Sequence, residues 1–192
     1  MGLTFRQRRR VRTARQAGFS LIEVLAAVAV AGVMFAVAVP NIGTALVDAR
    51  ANAGMRAVQS HLRAARDSAI SLRRVVEVRF VSPNQVRSVR LDGTESRPLA
   101  TTILEHGMCI RLTPGLPDTP DAFGNQSAIA FGGQQALRFH PDGTMTDPDE
   151  VPISGTVFLG MQQEQWLSAR AVTVFGPTGR VRAYRWDSRA WR

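Results

Sequence analysis

The pattern of hydrophobic residues changes twice along this chain. After a short arginine-rich start, an almost unbroken apolar run extends from Phe19 to Val39 and is followed by Pro40. As a helix rising about 1.5 Å per residue, this run is about 31 Å long, which matches a bilayer core of roughly 30 Å. The pattern predicts a basic leader, residues 1–18, and a single membrane-spanning helix, residues 19–40.

The next segment, residues 41–74, has apolar residues at steps of mostly three or four, with arginines between them. This spacing predicts an amphipathic helix with one buried stripe. We expect it to continue the membrane helix with a kink at Pro40, because a proline ring removes a backbone hydrogen bond. The expected stripe is Ile42, Leu46, Ala49, Ala53, Val58, Leu62, Ala65, Ala69 and Leu72.

Beyond residue 74 the apolar period becomes two. Val76, Val78 and Phe80 alternate with charged residues, and turn signals such as Asp92-Gly93 separate several short segments of this kind. Short alternating segments between turns are typical of antiparallel sheets. We therefore predict an α+β fold: a long N-terminal helix packed on an antiparallel β-sheet or sandwich formed by residues 75–192.

The charge of the chain is concentrated in its leader. The net charge is +9, and all 24 basic residues are arginine. The leader holds six of these arginines and no acid, so the rest of the chain has 18 arginines against 15 acids, a charge of +3. Positive flanks of a membrane helix stay in the cytoplasm. We therefore expect a single-pass membrane protein whose C-terminal domain lies on the side opposite the cytoplasm.

Glu23 is the one charged residue in the apolar run. A carboxylate inside a membrane helix costs about 2.5–3.5 kcal/mol on insertion scales, and such residues usually have a function. If the chain were cut after Gly18, Phe19 would carry a free α-amino group one turn from Glu23. The carboxylate of one protomer could then pair with the amine of the next protomer in an assembly.

The segment Gly18-Phe19-Ser20-Leu21-Ile22-Glu23, after its basic leader, resembles the processing site of type IV pilins and type II secretion pseudopilins. The resemblance implies cleavage by prepilin peptidase between Gly18 and Phe19, N-methylation of Phe19 and a role in assembly for Glu23. Pro40 also lies where pilin helices commonly kink. The implied partners are prepilin peptidase, the inner membrane and the other pilins of a filament.

Two simpler interpretations of the N-terminus remain open. One is a secretory signal, since Ala36-Val37-Ala38 has the small residues of a signal cleavage site. The apolar run is longer than the usual 7–15 residues of such signals, and it contains Glu23. The other is a plain membrane anchor. Neither explains why the glutamate lies four residues after the Gly18–Phe19 junction.

Three later segments resemble the GspH/FimT family of minor pilins and pseudopilins. They are residues 62–70, residues 137–144 and the motif Gly179-Arg180-Val181-Arg182. The resemblance implies a structural subunit of an inner-membrane-anchored filament, either a type II secretion pseudopilus or a type IV pilus. It implies a protein that is not an enzyme.

The sequence offers little chemistry for a catalytic or metal site. His61, His106 and His140 each lack a second ligand at suitable spacing, and the acidic residues 147–150 lack the glycine of a calcium loop. Cys109 is the single cysteine, so no intrachain disulfide can form, and we expect it to pack as a small apolar residue. We predict no catalytic residue, no metal and no cofactor.

Arginines and aromatic residues alternate near the C-terminus. Guanidinium groups bind phosphate and aromatic rings stack on bases, so this stretch is a candidate DNA-binding surface. Its residues are Arg180, Arg182, Tyr184, Arg185 and Trp186, of which Arg180, Arg182, Tyr184 and Trp186 would share one strand face.

Within the family, the FimT branch of competence pilins is associated with DNA binding through a Gly-Arg-x-Arg motif, which residues 179–182 match. The resemblance therefore implies an alternative function, a DNA-binding minor pilin of a DNA-uptake pilus. The simpler interpretation is a turn glycine followed by a solvated strand face.

Overall fold

The computed structural model describes residues 20–192, and for residues 37–41 it describes the backbone alone. The predicted leader, and with it Gly18 and Phe19, lies outside the described residues. One helix and ten strands follow in chain order. They are α1 (Leu21–Leu72), β1 (Val76–Val81), β2 (Gln85–Asp92), β3 (Glu95–Ile103), β4 (Met108–Ile110), β5 (Ile129–Ala130), β6 (Ala136–Phe139), β7 (Met145–Thr146), β8 (Gly155–Met161), β9 (Arg170–Phe175) and β10 (Arg180–Arg185).

Helix α1 has 52 residues, so the two helical segments expected from the sequence form one element. Pro40 lies within α1, and the kink expected there stays a prediction. The chain divides into two compact units, Met1–Asn41 and Ile42–Arg192. No helix in the described part of the chain has the length and apolar character needed to span a membrane.

The second unit contains two antiparallel sheets. The first has the strand order β3-β2-β1-β6-β7, and the second has the order β10-β9-β8-β4, with β5 also paired to β8. Neighbouring strands of both sheets are antiparallel, as in the pairs Val78↔Ser88 and Val181↔Val174. The predicted α+β class, a long N-terminal helix packed on antiparallel sheet, is confirmed.

The main core lies between α1 and the inner faces of both sheets. From the helix it takes Ala51, Val58, Leu62, Ala65 and Ala69, all of them buried. Strand residues such as Val78, Phe139 and Val172 supply the rest. The spacing of three or four along α1 is the expected one, since neighbours at that spacing share a helix face.

The predicted helical stripe is wrong at its first four residues and at its last one. Ile42 and Leu46 are exposed, and so are Ala49, Ala53 and Leu72, whereas Ala51 and Gly54 face the core. A Cβ atom on Gly54 would lie 3.1 Å from Met108 Cγ, so the glycine lets β4 approach the helix closely. The sequence pattern missed this shift because a glycine adds nothing to a hydrophobic period.

Strand β1 contains the predicted alternation of Val76, Val78 and Phe80, whereas β3 has no such alternation. Its nine residues are almost entirely exposed, and it includes Pro98. β3 is an edge strand of the first sheet, and its pairing with β2 is interrupted by a register shift between Ser88 and Val89. An exposed edge strand has no buried face, so it produces no alternation from which it could be predicted.

A buried polar cluster joins α1 to β9. The side chain of Arg170 is completely buried, and its Nη2 atom donates to Asp48 Oδ1 at 2.5 Å. Its Nε atom donates to Asn52 Oδ1 at 2.9 Å, and its Nη1 atom donates to two backbone carbonyls. A buried charge is tolerated only when it is paired in this way. The cluster therefore fixes the position of Asp48 and Asn52 of α1 relative to the second sheet.

Replacing Asp48 should destabilise the protein strongly. In Asp48→Ala, Arg170 would remain buried without its counter-charge, and breaking such a pair costs about 3–5 kcal/mol. Because Asp48 is one-third exposed, we expect the free energy of unfolding to fall by about 3 kcal/mol in chemical denaturation. The matched control is Asp67→Ala, which removes an exposed aspartate 4.0 Å from Arg66. This control should change the free energy of unfolding by less than about 0.5 kcal/mol. Equal effects of both variants would contradict a structural role for the Arg170 cluster.

Candidate functional site

The described part of the first unit presents its apolar side chains to solvent. Leu21 is 81% exposed and Phe35 is 70% exposed, and the residues between them are exposed as well. In the second unit, Ile42 and Leu46 are exposed as well. An apolar surface of this extent on a soluble protein normally marks a contact with membrane or protein.

Glu23 lies in the first turn of α1 and is exposed. The backbone nitrogens of Glu23 and Val24 both donate to the carbonyl of Ser20, so the helix starts next to the predicted processing site. A carboxylate in the first turn interacts favourably with the positive end of the helix dipole. Its predicted partner, the amine of a processed Phe19 in another protomer, stays a prediction.

Strand β10 places the predicted C-terminal residues on two faces. Arg180 and Arg182 point away from the core with Tyr184, while Val181 between them is buried in the core. This alternation is the one expected for a strand. The shared face, however, is covered in part by the loop between β4 and β5, so it is not the solvated face that the sequence suggested.

Asp121 in that loop is the centre of a hydrogen-bond cluster on this face. Its carboxylate accepts from Arg182 Nη1 at 2.9 Å, from the Tyr184 hydroxyl at 3.0 Å and from Thr173 Oγ1 at 2.6 Å. Burial alone would raise the pKa of Asp121. The hydrogen bonds from Thr173 and Tyr184 and the charge of Arg182 outweigh it, so this pKa lies below its ordinary value. Asp121 therefore stays ionised at neutral pH and holds Arg182.

Arg185 and Trp186 do not fit the predicted DNA surface. Arg185 Nη1 lies 3.7 Å from Asp48 Oδ2, so this arginine is turned toward α1 and away from the face of Arg180. Trp186 is only 8% exposed, and its ring packs edge-on against Trp191 with 5.4 Å between centroids. A ring covered in this way cannot stack on a base, so the stacking role expected of Trp186 does not agree with its position.

The two tryptophans instead close the C-terminus. They share a small second core with Leu116, Phe158 and Ala171. Trp191 Nε1 donates to the carbonyl of Pro117 at 2.8 Å, which ties the last residues to the loop that carries Asp121. The sequence missed this role because aromatic residues that alternate with arginine have the same pattern on a buried and on an exposed face.

Arg180 is the predicted residue that remains available. It is exposed, and the structure shows no ion pair for it within residues 20–192; its guanidinium lies 5.8 Å from the centre of the Phe175 ring. Arg180 lines an open cleft of about 460 Å³ together with Arg63 and Arg66 of α1, and the acid in its lining is Asp67. Three guanidinium groups around one exposed carboxylate give this cleft a positive charge.

Gly179 has a structural reason to be glycine. Its φ is +59°, and an added Cβ would collide with the carbonyl oxygen of Gly143 and with the Arg66 side chain. Arg66 Nε donates to the carbonyls of Gly143 and Thr178, and Arg63 Nη2 donates to that of Val181. Two helix arginines thus hold the turn before β10 and fix the position of Arg180 at the start of that strand.

The N-terminal part of the chain matches a known family model. Residues 13–39 match the prokaryotic N-terminal methylation motif. The predicted prepilin-type N-terminus is confirmed. The match covers the end of the leader and the whole apolar run with Glu23, so it includes the residues on which the processing hypothesis was based.

Solved structures similar to this chain include one minor pilin, in two crystal forms, and one minor pseudopilin. The Pseudomonas aeruginosa type IV minor pilin FimU matches in two crystal forms, with 14% and 13% identity, coverage of 69% and 73% of this chain and 90% and 91% of FimU, and TM-scores of 0.46 and 0.49. The Vibrio cholerae minor pseudopilin EpsH of the type 2 secretion system matches with 15% identity, coverage of 71% and 97%, and a TM-score of 0.48. No curated protein sequence matches the chain.

Several residues that shape the C-terminal site were not predicted from the sequence. Asp121 lies in a loop rich in proline and glycine, about 60 positions from its partners on β10, so no local pattern connects them. Arg63 and Arg66 belong to the segment that predicted the amphipathic helix, and no binding role was predicted for them. Their spacing of three places both on one helix face, which was the available signal.

Proposed function

We propose that this protein is a minor structural subunit of an inner-membrane-anchored filament, either a type II secretion pseudopilus or a type IV pilus. The observation that carries the proposal is the exposed apolar first part of α1 with a lone carboxylate, Glu23, in its first turn. The methylation motif over residues 13–39 supports it. Such a helix needs a cover, which neighbouring helices of a filament would supply.

The proposed mechanism is assembly. The arginines of the leader keep the N-terminus in the cytoplasm, and prepilin peptidase cuts after Gly18 and methylates Phe19. The apolar helix then leaves the bilayer and packs among other pilin helices, where Glu23 pairs with the N-terminal amine of a neighbour. The cost of a carboxylate in the bilayer favours this transfer, because docking supplies its partner.

The two sheets are proposed to face outward from the helical bundle. Their core does not include the first part of α1, since its fully buried helix residues begin at Ala51 and the first residue packed against it is Val47. The second unit can therefore stay folded while the apolar part moves between bilayer and filament. The membrane span expected over residues 19–40 begins outside the described residues and is part of this proposal.

Replacing Glu23 should impair assembly and leave processing intact. Glu23→Gln keeps the size of the side chain and removes its charge, so the ion pair with a neighbouring amine is lost. We expect crosslinking to the major subunit of the filament to fall severalfold or more, while the mass of the processed chain changes by the substitution alone. The matched control is Glu105→Gln, which neutralises an exposed glutamate in the second unit. Normal crosslinking of Glu23→Gln would remove the proposed reason for this charge.

A second candidate function is DNA binding in a DNA-uptake pilus. It is favoured by one observation, the exposed and unpaired guanidinium of Arg180 at a cleft that Arg63 and Arg66 also line. Phosphate oxygens accept two hydrogen bonds from one guanidinium, so Arg180 is well suited to contact a DNA backbone. Tyr184 and Arg182 would contribute less, because Asp121 already binds both.

The two arginines of the Gly179–Arg182 motif should therefore differ in their effect on DNA binding. Arg180→Gln should flatten the dependence of log affinity on log salt by about 0.9, the slope of one phosphate contact. Arg182→Gln should flatten it less, because a phosphate must first displace Asp121 from Arg182. Fluorescence anisotropy of labelled duplex DNA with the full chain in non-ionic detergent measures this, with Arg56→Gln as an exposed control. If the wild-type protein binds no DNA at low salt, this second function is wrong.

A further inference from the structure

A second group of arginines lies at the C-terminal end of α1. Arg73 and Arg74 follow the helix directly, Arg90 comes from β2 and Arg97 comes from β3. Together with Asp92 they line an open basin of about 700 Å³, which we call the helix-end basin. None of these residues belongs to the motif near the C-terminus, and the functions proposed above leave them unused.

The positive charge of the helix-end basin is only partly compensated. Asp92 Oδ2 accepts two hydrogen bonds from Arg90, from Nε at 2.8 Å and from Nη2 at 2.6 Å. Arg74 and Arg97 reach the same carboxylate only at 3.6 Å and 3.8 Å, and each is 64% exposed. Asp92 is therefore engaged mainly by Arg90, and the other guanidinium groups keep donors free.

The remaining charges nearby do not change this balance. Glu95 lies 3.6 Å from Arg97 but is 72% exposed, so water screens the pair strongly. The helix end itself carries about half a negative charge, and its carbonyls at Ala69 and Ile70 already accept from the backbone nitrogens of Arg74 and Arg73. Four guanidinium groups against two carboxylates leave the basin positive.

The helix-end basin is next to the cleft of Arg63, Arg66 and Arg180. The turn of residues 141–143 separates them: Pro141 lines the basin, while the carbonyl of Gly143 accepts from Arg66 on the other side. Two positive depressions on either side of one turn suit an extended anion with repeated charges. A small anion would need only one of them.

We propose that the helix-end basin is a second phosphate-binding site, which holds the backbone of the same nucleic acid strand that contacts Arg180. The proposal rests on the DNA-binding function suggested above and extends it to α1, β2 and β3. Arg90 and Asp92 form the fixed frame of the site, and Arg73, Arg74 and Arg97 supply the donors. Recognition through phosphates alone gives little preference for sequence.

The test measures DNA affinity of the full chain in non-ionic detergent by anisotropy of a labelled duplex, between about 50 and 200 mM salt. The basin variant is Arg74→Gln/Arg97→Gln, which changes two exposed side chains and leaves the frame. Losing two phosphate contacts should lower the salt slope by about 1.8, so the loss of affinity over this range becomes about twelvefold smaller. The matched control, Arg56→Gln/Arg111→Gln, removes the same charge outside the basin and should keep the wild-type slope.

A variant of opposite sign separates binding from folding. Asp92→Asn keeps an acceptor for Arg90 but removes the negative charge, so DNA affinity should rise severalfold. A variant that merely damaged the fold would lower DNA affinity. Thermal unfolding followed by circular dichroism shows directly whether the fold is damaged. The single variant Arg97→Gln serves if the double variant does not fold.

Different results would overturn different claims. If the basin variant and the control have the same salt slope while Arg180→Gln still lowers it, the basin proposal is wrong and the function of Arg180 stands. If the wild-type chain binds no DNA, both are wrong. If pyrophosphate binds to the wild type but not to the basin variant in calorimetry, and DNA binds to neither, the basin holds small anions and the nucleic acid proposal is overturned.

Discussion

The packing of the second part of α1 against two sheets is the interaction on which the rest of the structure depends. Burial of Val58, Leu62 and Ala69 ties together strands that are far apart in sequence. A buried valine or leucine side chain contributes about 1.5–3 kcal/mol to the stability of the fold. Gly54 adds no apolar area but lets Met108 of β4 lie close to the helix. Because this core takes no helix residue before Val47, the apolar residues that precede Val47 are free to serve another purpose.

Polar contacts then fix details that apolar packing leaves open. Arg170 is completely buried and bound to Asp48 and Asn52, so it specifies where the helix lies along β9. Asp121 likewise fixes the position of the loop over β10, because its carboxylate binds Arg182, Tyr184 and Thr173. Trp191 secures the C-terminus through Pro117, in a chain with a single cysteine and therefore no intrachain disulfide. These contacts limit which arginines can meet a partner.

The sequence predicted the elements that have a clear period. The long helix and strands such as β1 follow from spacings of three to four and of two, and the six-residue motif that begins at Gly18 lies within the matched methylation motif. It could not predict β3, since an edge strand exposed on both faces has no alternation. It could not show that Trp186 follows the end of β10 and is buried in a second core with Leu116 of a distant loop. Long-range pairs such as Asp121 with Arg182 leave no local pattern.

The N-terminus of the mature protein decides most directly whether this chain is a filament subunit. Mass spectrometry of the membrane-extracted chain can determine it. We predict a single product that begins at Phe19 with one added methyl group, because the Gly18–Phe19 junction resembles a prepilin processing site and lies within the matched methylation motif. This product would retain the whole apolar run and Glu23. A mature chain that begins at Val39 would instead show a secretory signal, would lack Glu23, and would contradict the proposed filament subunit.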